Sequence, residues 1–207
     1  MMYCKAAGYI AGTENRLDAA VLKKIRREFG MSIRSPRFNQ VLFGALGDLF
    51  ARSGLDKDSF DKSAGLIVGS RLGPVGMVSA FQDEILDYPE DQVMAGTFAN
   101  SVHNAPAGAV TVLLDVRGPA FSVMGFEDML EQSLNLAELN LNAGTCPEIL
   151  VMFGEESSII GDAVKEVYAP FDKESAAAFL LTADPQYPEF RTEGISDYHS
   201  LFTANIR

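Results

Sequence analysis

Cysteine, histidine and tryptophan are scarce in this sequence, whose 207 residues include two cysteines, two histidines and no tryptophan. Two cysteines, Cys4 and Cys146, cannot build a disulfide framework in a chain of this size, which favours a reducing compartment. His103 and His199 stand at no metal-ligand spacing from either thiol. We therefore expect a cytoplasmic protein with no metal site and no cofactor.

Long hydrophobic runs and positive charge are also in short supply. No apolar run approaches the roughly 18 residues that a membrane span needs. Residues 1–12 carry one lysine and a short apolar stretch, and the polar residues after them favour a first strand over a signal peptide. Lys and Arg number 17 against 28 Asp and Glu, which gives a net charge of −11. Such a surface repels nucleic-acid phosphates and anionic membranes, so we expect neither as a partner.

The sequence does have an ordinary globular composition, with 47% hydrophobic residues. Strand and helix patterns alternate along it, which predicts an α/β domain with a largely parallel sheet and a final antiparallel pair. We expect one domain over residues 1–183 and a surface tail over 184–207, which lacks a period. The predicted strands cover 3–10, 64–68, 120–124, 148–153 and 176–183, and the predicted helices cover 17–29, 37–53, 74–86, 105–114 and 126–143.

A glycine-rich segment follows the second predicted strand. Gly69, Gly73 and Gly76 lie where a helix opens after a strand, which is a position that can hold a phosphate. Their spacing matches neither the dinucleotide fingerprint nor the Walker A motif. A tight strand-to-helix turn is therefore the favoured interpretation, and a phosphate cradle is the alternative.

The segment after Gly118 runs from a strand through a sharp turn into a helix near Phe126. In acyl-transfer enzymes this geometry presents a nucleophile at a helix N-terminus. Here the turn offers Glu127 and Asp128, and carboxylates in a first helical turn commonly serve as caps. His103 is a general base by residue type, although a hydrogen-bonding role in its loop is the simpler interpretation.

Four stretches, in order, carry a resemblance to a known family. They are residues 34–55 with Ala45-Leu46 and Ser53-Gly54-Leu55, Gly65–Gly69 through Leu72-Gly73, Phe98–Asn100 to Asn104–Gly108 followed by Leu114–Ala120, and Ala169–Asp172 followed by Ala176–Leu181. With them the chain resembles the N-terminal half of a β-ketoacyl synthase. This resemblance implies a thiolase-like half: a mixed five-stranded sheet, in the order βαβαβαββ, with helices on both faces.

The departures from the family pattern bear directly on function. The resemblance places the family's cysteine nucleophile on Glu127, and a carboxylate cannot form the usual acyl thioester. The histidine pair of elongating members belongs to a C-terminal half, which this chain does not reach. The resemblance therefore implies that no catalytic residue carries over and that independent activity is not expected.

The chain looks most similar to chain-length-factor subunits, which lack the cysteine and pair with an active ketosynthase. A short form of such subunits accompanies aryl-polyene-type synthases. The resemblance thus implies a non-catalytic subunit in fatty-acid, polyketide or aryl-polyene-like biosynthesis. Its partner would be an active ketosynthase or a second copy, and an acyl carrier protein would be met indirectly.

Family dimers pair the strand before the nucleophile, here Ala120–Met124, across a two-fold axis, with the loop 97–106 at that interface. The helix predicted over 126–143 has one apolar and one polar face, as expected if it packs on one side only. Its polar face then meets solvent or another subunit. The residues expected at the interface or the acyl tunnel are Phe98, Asn100, His103, Asn104, Phe121, Val123 and Phe126.

Two other functions remain open from the residues. In the first, Glu127 acts as a general base in an apolar pocket, assisted by His103, in a stand-alone acyl-thioester enzyme. In the second, the chain is a homodimeric module that binds acyl groups or carrier proteins without chemistry. Docking an acidic carrier would need the basic residues within 23–27, whose simpler interpretation is a solvated helix end.

Overall fold

The computed structural model describes residues 1–13, 15–157, 173–193, 195 and 197–206. Strands and helices alternate through most of this range. In chain order they are β1 Tyr3–Ala11, α1 Ala19–Glu28, α2 Arg37–Ser53, β2 Gly65–Ser70, α3 Val75–Asp87, α4 Ala95–Ser101, α5 Ala105–Leu114, β3 Ala120–Met124, α6 Met129–Asn142, β4 Glu148–Glu155, β5 Ser175–Thr182 and α7 Tyr198–Asn205.

The strands form one mixed sheet in the order β1-β5-β4-β2-β3. β2 pairs in parallel with both β3 and β4, whereas β5 is antiparallel to both β1 and β4. Four strands therefore run in one direction and β5 runs in the other. The mixed five-stranded α/β sheet and the final antiparallel pair, which is β4 with β5, are confirmed.

Two hydrophobic cores lie on opposite faces of the sheet because successive side chains of a strand point to opposite sides. In β4, Leu150 and Met152 face a core that α2 and α5 cover. Ile149, Val151 and Phe153 face the other core, which α6 and α7 cover. Every residue of β4 is buried, as expected for a strand with helices on both faces.

Helix α2 is the main support of the first core, and most of its residues are buried. It begins directly after Pro36 and ends at Gly54, whose φ of 74° is left-handed. The Gly54 N–H donates to the Phe50 carbonyl oxygen at 2.9 Å, which closes the last turn. These bounds match the helix predicted over 37–53.

Two segments differ from the sequence-based expectation. No helix is predicted between residues 86 and 105, but a short 3-10 turn over Glu90–Gln92 and helix α4 lie there. The tail was expected to lie irregularly on the surface, but α7 begins there at a capping box made by Asp197 and Ser200. The surface-tail prediction is wrong for α7, because its apolar side chains belong to the second core. The domain boundary at residue 183 stays a prediction.

Within the described residues, none of the helices has both the length and the apolar character needed to cross a bilayer.

Candidate functional site

The carboxyl ends of β2, β3 and β4 meet at one end of the sheet, because these neighbouring strands run parallel. Residues that follow parallel strands commonly line sites for this reason. Here they are the glycine turn 71–74, the turn 125–128 and the pair Glu155 and Glu156. The residues predicted from the sequence and three glutamates that were not predicted lie in and around these segments.

Glu127 lies in the turn that joins β3 to α6, as the sequence predicted. The helix begins at Met129, three residues later than expected, with Asp128 as its N-cap. The Glu127 side chain is exposed. Within the described residues, Glu127 therefore has no apolar pocket of the kind that the stand-alone enzyme would require.

His103 lies in the turn between α4 and α5 and packs against Gly73. A Cβ built on Gly73 would lie 3.1 Å from His103 Nδ1 and 3.3 Å from Met124 Cε. The structure thus brings His103 to the end of β3. Among the described residues, no hydrogen bond or ion pair joins His103 to Glu127.

The backbone N–H groups of the glycine-rich turn already have acceptors within the protein. The Arg71 N–H donates to Glu155 Oε1 at 2.7 Å, the Gly73 N–H donates to Ser70 Oγ at 2.7 Å, and the Gly76 N–H donates to Glu156 Oε1 at 2.7 Å. A phosphate would need these same donors. The contacts support the tight turn over the phosphate cradle.

Glu155, the last residue of β4, is a buried acceptor for donors from three elements. Its Oε2 accepts from Ser70 Oγ at 3.1 Å and from the Leu72 N–H at 3.4 Å. Its Oε1 accepts from the Arg71 N–H and from the Tyr198 hydroxyl, the latter at 2.8 Å. Burial raises the pKa of Glu155 to about 7 although the donors favour its charged form. Burial and the neighbouring Glu155 charge also raise the pKa of Tyr198.

Glu156 and Glu174 extend this group of buried acids. Burial, together with the charge of Glu174, raises the pKa of Glu156 to about 7. Glu174 forms a bidentate ion pair with Arg37, in which Nε lies 2.6 Å from Oε1 and Nη2 lies 2.8 Å from Oε2. The Leu17 N–H also donates to Glu174 Oε2 at 2.6 Å. Glu174 therefore links the start of α2 to the segment that precedes α1.

Sequence reasoning missed these three glutamates. The available signal was an acidic pair shortly after the strand predicted over 148–153, because carboxylates at the end of a buried strand need donors from the same end of the sheet. Within the part of the chain that the structure describes, no group of His, Cys, Asp or Glu is arranged to hold a metal ion.

The predicted interface residues lie on or beside β3 and α4. β3 is one of the two edge strands, and in the described ranges no other strand pairs with its outer side. Phe98 is 52% exposed and Phe126 is 43% exposed, so both aromatic rings can be reached by a partner. Phe121 and Val123 are half-buried beside the second core. Asn100 donates to the Gly96 carbonyl oxygen of its own helix at 2.8 Å.

Asn104 is the exposed N-cap residue of α5. Nothing in the structure tests whether this residue, or the other six, binds a partner, so that role stays a prediction.

Helices α3 and α4 form an arm, defined here as residues 75–101. The two helices pack mainly on each other, with the Phe81 and Phe98 rings 5.3 Å apart. Glu84 joins them, since it accepts from Thr97 Oγ1 at 2.7 Å and from the Met94 N–H at 3.0 Å. Large apolar side chains are exposed along the arm: Ile85, Leu86, Tyr88, Met94 and Phe98. Such exposure commonly marks a surface for another protein.

Comparison with known proteins identifies relatives by structure alone. No family model and no curated protein matches the chain. A structure of the ishigamide ketosynthase/chain length factor matches with a TM-score of 0.70 and 18% identity, over 91% of this chain and 64% of that one. A structure of a ketosynthase in complex with its chain length factor from Xenorhabdus doucetiae matches with a TM-score of 0.57 and 16% identity, over 88% of this chain and 79% of that one.

A β-ketoacyl synthase from Burkholderia phymatum matches with a TM-score of 0.66 and 17% identity, over 89% of this chain and 59% of that one. The chain thus spans less than two thirds of the first and third of these relatives. It has the thiolase-like fold of ketosynthases and chain length factors, as the sequence resemblance implied. The first part of the fourth stretch behind that resemblance, Ala169–Asp172, lies outside the described residues, and its second part, Ala176–Leu181, lies in β5.

Proposed function

We propose that this protein is a non-catalytic partner of an active ketosynthase, of the chain-length-factor type, in fatty-acid, polyketide or aryl-polyene-like biosynthesis. The observation that carries the proposal is a ketosynthase-like fold in which Glu127 occupies the turn before α6. A ketosynthase needs a nucleophile in that turn, and an exposed carboxylate does not replace a thiolate there. The proposal thus combines the fold of a ketosynthase with a carboxylate at the position where the resemblance places the nucleophile.

The surface around β3 supports an association with a second chain of the same fold. An edge strand presents unpaired N–H and C=O groups that another strand can pair with. The arm adds exposed apolar area, and its Phe98 ring is an aromatic anchor of the kind that dominates protein interfaces. A ketosynthase with the same fold would bring a matching edge strand, so the two sheets would join through β3.

Both cysteines are buried free thiols. Free thiols persist in a reducing compartment, so we place the complex in the cytoplasm. The carrier protein would meet the ketosynthase partner, which supplies the thiolate, and this chain would help to shape the acyl tunnel.

The test is co-expression with a ketosynthase encoded in the same gene neighbourhood that carries one Cys nucleophile and two His residues. We expect a stable one-to-one complex and a change in product chain length when this protein is omitted. Absence of a complex, together with an unchanged product length, contradicts the proposal. Recovery of a stable homodimer that does not bind the ketosynthase would instead favour the homodimeric binding module.

A pair of matched variants tests the surface. Phe98→Asp places a charge on the arm and should weaken the complex at least tenfold. Ile33→Asp is the control, because Ile33 is 80% exposed between α1 and α2. Equal effects of the two substitutions on complex formation would argue against the arm as the contact surface.

A further inference from the structure

Two adjacent carboxylates at the end of β4 hold the segment that leads into the arm. Glu155 accepts the N–H groups of Arg71 and Leu72, at 2.7 Å and 3.4 Å. Glu156 accepts the Gly76 N–H at 2.7 Å, inside the first turn of α3. Both ends of the connection from β2 to the arm are therefore bonded to one dipeptide.

The Ser70 hydroxyl makes two further hydrogen bonds in this connection. It donates to Glu155 Oε2 at 3.1 Å, and its oxygen accepts the Gly73 N–H at 2.7 Å. Gly73 itself has a left-handed φ of 64° and lies against His103, which ends the arm's return to α5. Glu155 thus bonds the outgoing chain of the arm, and the returning chain lies next to this turn through His103 and Gly73.

These hydrogen bonds of Ser70, Glu155 and Glu156 form the base of the arm. The arm depends on them because it makes few other contacts with the rest of the protein. In the described part of the chain, α3 makes its main helix contact with α4, and α4 in turn touches α5. Most side chains of α3 beyond its first turn are half-buried or exposed. The hydrogen bonds at the base therefore set the direction in which the arm leaves the core.

We propose that Glu155 and Glu156 are positioning residues that hold the arm in the orientation that binds the partner, and that their ionisation controls how firmly the arm is held. This inference rests on the proposed function for the identity of the partner. The hold on the arm can be measured on the isolated chain.

Within the part of the chain that the structure describes, several packed elements place groups against the two acids. Around Glu155 they are Ser70, Arg71 and Leu72 from β2 and its turn, Tyr198 from α7, and Glu156 beside it. Around Glu156 they are Gly76 from α3, Arg37 and the Phe38 N–H from α2, and Glu174 next to β5.

The direction of the pH effect follows from linkage. Burial raises the pKa of both acids from 4.5 to about 7 in the closed arrangement. Detaching the base would expose them to water and return each pKa toward its ordinary value, so opening releases protons. Opening should therefore become more frequent as the pH rises through 7.

Hydrogen–deuterium exchange of the full chain tests the inference, with rates corrected for the intrinsic effect of pH. In the wild type, exchange across 71–101 should rise at least fivefold between pH 6 and pH 8, while exchange across α2 should not. Glu155→Gln should remove about half of this pH dependence, because Glu156 still titrates, and should keep the arm protected. Its Oε1 can still accept from Arg71 and Tyr198, and its amide can donate to Ser70 Oγ. Glu131→Gln, an exposed change on α6, is the control.

A variant that loses the carboxylate acceptor provides a second test. Glu156→Ala should raise exchange in the arm at least tenfold and weaken partner binding by a similar factor, with α2 unchanged from Val41 onward. The Phe38 N–H in the first turn of α2 loses an acceptor and is left out of the comparison. The inference is overturned if arm exchange matches the wild type, or if α2 and the arm change equally. If wild-type chain binds no ketosynthase while the exchange results hold, the proposed function fails and the positioning role stands.

Discussion

The ion pair between Arg37 and Glu174 holds a carboxylate that is shielded from solvent. The Glu174 side chain is fully buried, and Arg37 supplies two of its donors. Removing one partner from a buried pair leaves an uncompensated charge, which commonly costs about 3–5 kcal/mol. Loss of one partner is therefore expected to destabilise the fold by more than the intact pair stabilises it.

We expect Arg37→Met to lower the free energy of unfolding by about 3 kcal/mol, measured by urea denaturation at pH 7. The control is Lys62→Gln, because Lys62 and Asp115 form an exposed pair 3.0 Å apart. Exposed pairs contribute about 0–1 kcal/mol. A loss for Arg37→Met no larger than for Lys62→Gln would contradict the buried role of Glu174.

The two acids with raised pKa values make stability depend on pH in a defined direction. Between pH 4.5 and about 7 the folded protein holds protons on Glu155 and Glu156 that the unfolded chain releases. Their contribution is complete below pH 4.5 and is lost as the pH rises through 7. The free energy of unfolding should thus fall between pH 5 and pH 8, by an amount on the order of a few kcal/mol. In Glu155→Gln the free energy of unfolding should fall less over this pH range. An unchanged pH dependence of the free energy of unfolding in that variant would refute the raised pKa of Glu155.

At the scale of elements, β1 and α2 approach so closely that only glycine fits between them. A Cβ on Gly8 would lie 2.2 Å from the Leu49 backbone nitrogen and 2.3 Å from the Ala45 carbonyl oxygen. Both obstacles are backbone, so neither can rotate away. The contact fixes the distance between the sheet and α2.

Gly8→Ala should lower the free energy of unfolding by more than about 2 kcal/mol, because overpacking of this kind forces backbone shifts. Gly108→Ala is the matched control, since a Cβ on Gly108 meets nothing within 4 Å in α5. That change should stabilise the helix by about 0.5–1 kcal/mol. Thermal unfolding of the two variants measures both effects, and an equal response would disprove the close approach.

Elements with long periods or clear ends were predictable, and short ones were not. Apolar residues recur at helical spacing along α2, and a glycine follows its end. β3 is a short strand between two turns. The predicted bounds of both elements therefore match the structure. α4 has seven residues and α7 has eight, which is too little for a period to emerge. α7 is held by packing against the second core, and that packing depends on residues far away in the sequence.

The candidate site was only partly predictable for the same reason. The turn containing Glu127 follows from local pattern, whereas the burial of Glu155 and Glu174 follows from the pairing of β4 with β5. Local sequence does not say which acids will meet buried donors. The exposed position of Glu127 likewise depends on where α6 begins.

For the molecule as a whole, the main asymmetry lies between the two edges of the sheet. At the β1 edge, the Cys4 N–H donates to the Pro188 carbonyl oxygen and the Phe190 N–H donates to Met2, so a later segment covers part of that strand. No strand of the described residues pairs with the outer side of β3. The carboxyl end of β3 lies at the same end of the sheet as the base of the arm. A partner that joins this edge would extend the sheet and cover apolar surface together.

Hydrogen exchange at residues 120–124, compared between the free chain and its mixture with the neighbouring ketosynthase, tests the central claim most directly. Pairing through β3 predicts that amides facing away from β2 become protected at least tenfold in the complex, while those of β1 do not change. A ketosynthase complex that leaves 120–124 as exchangeable as in the free chain would contradict the account.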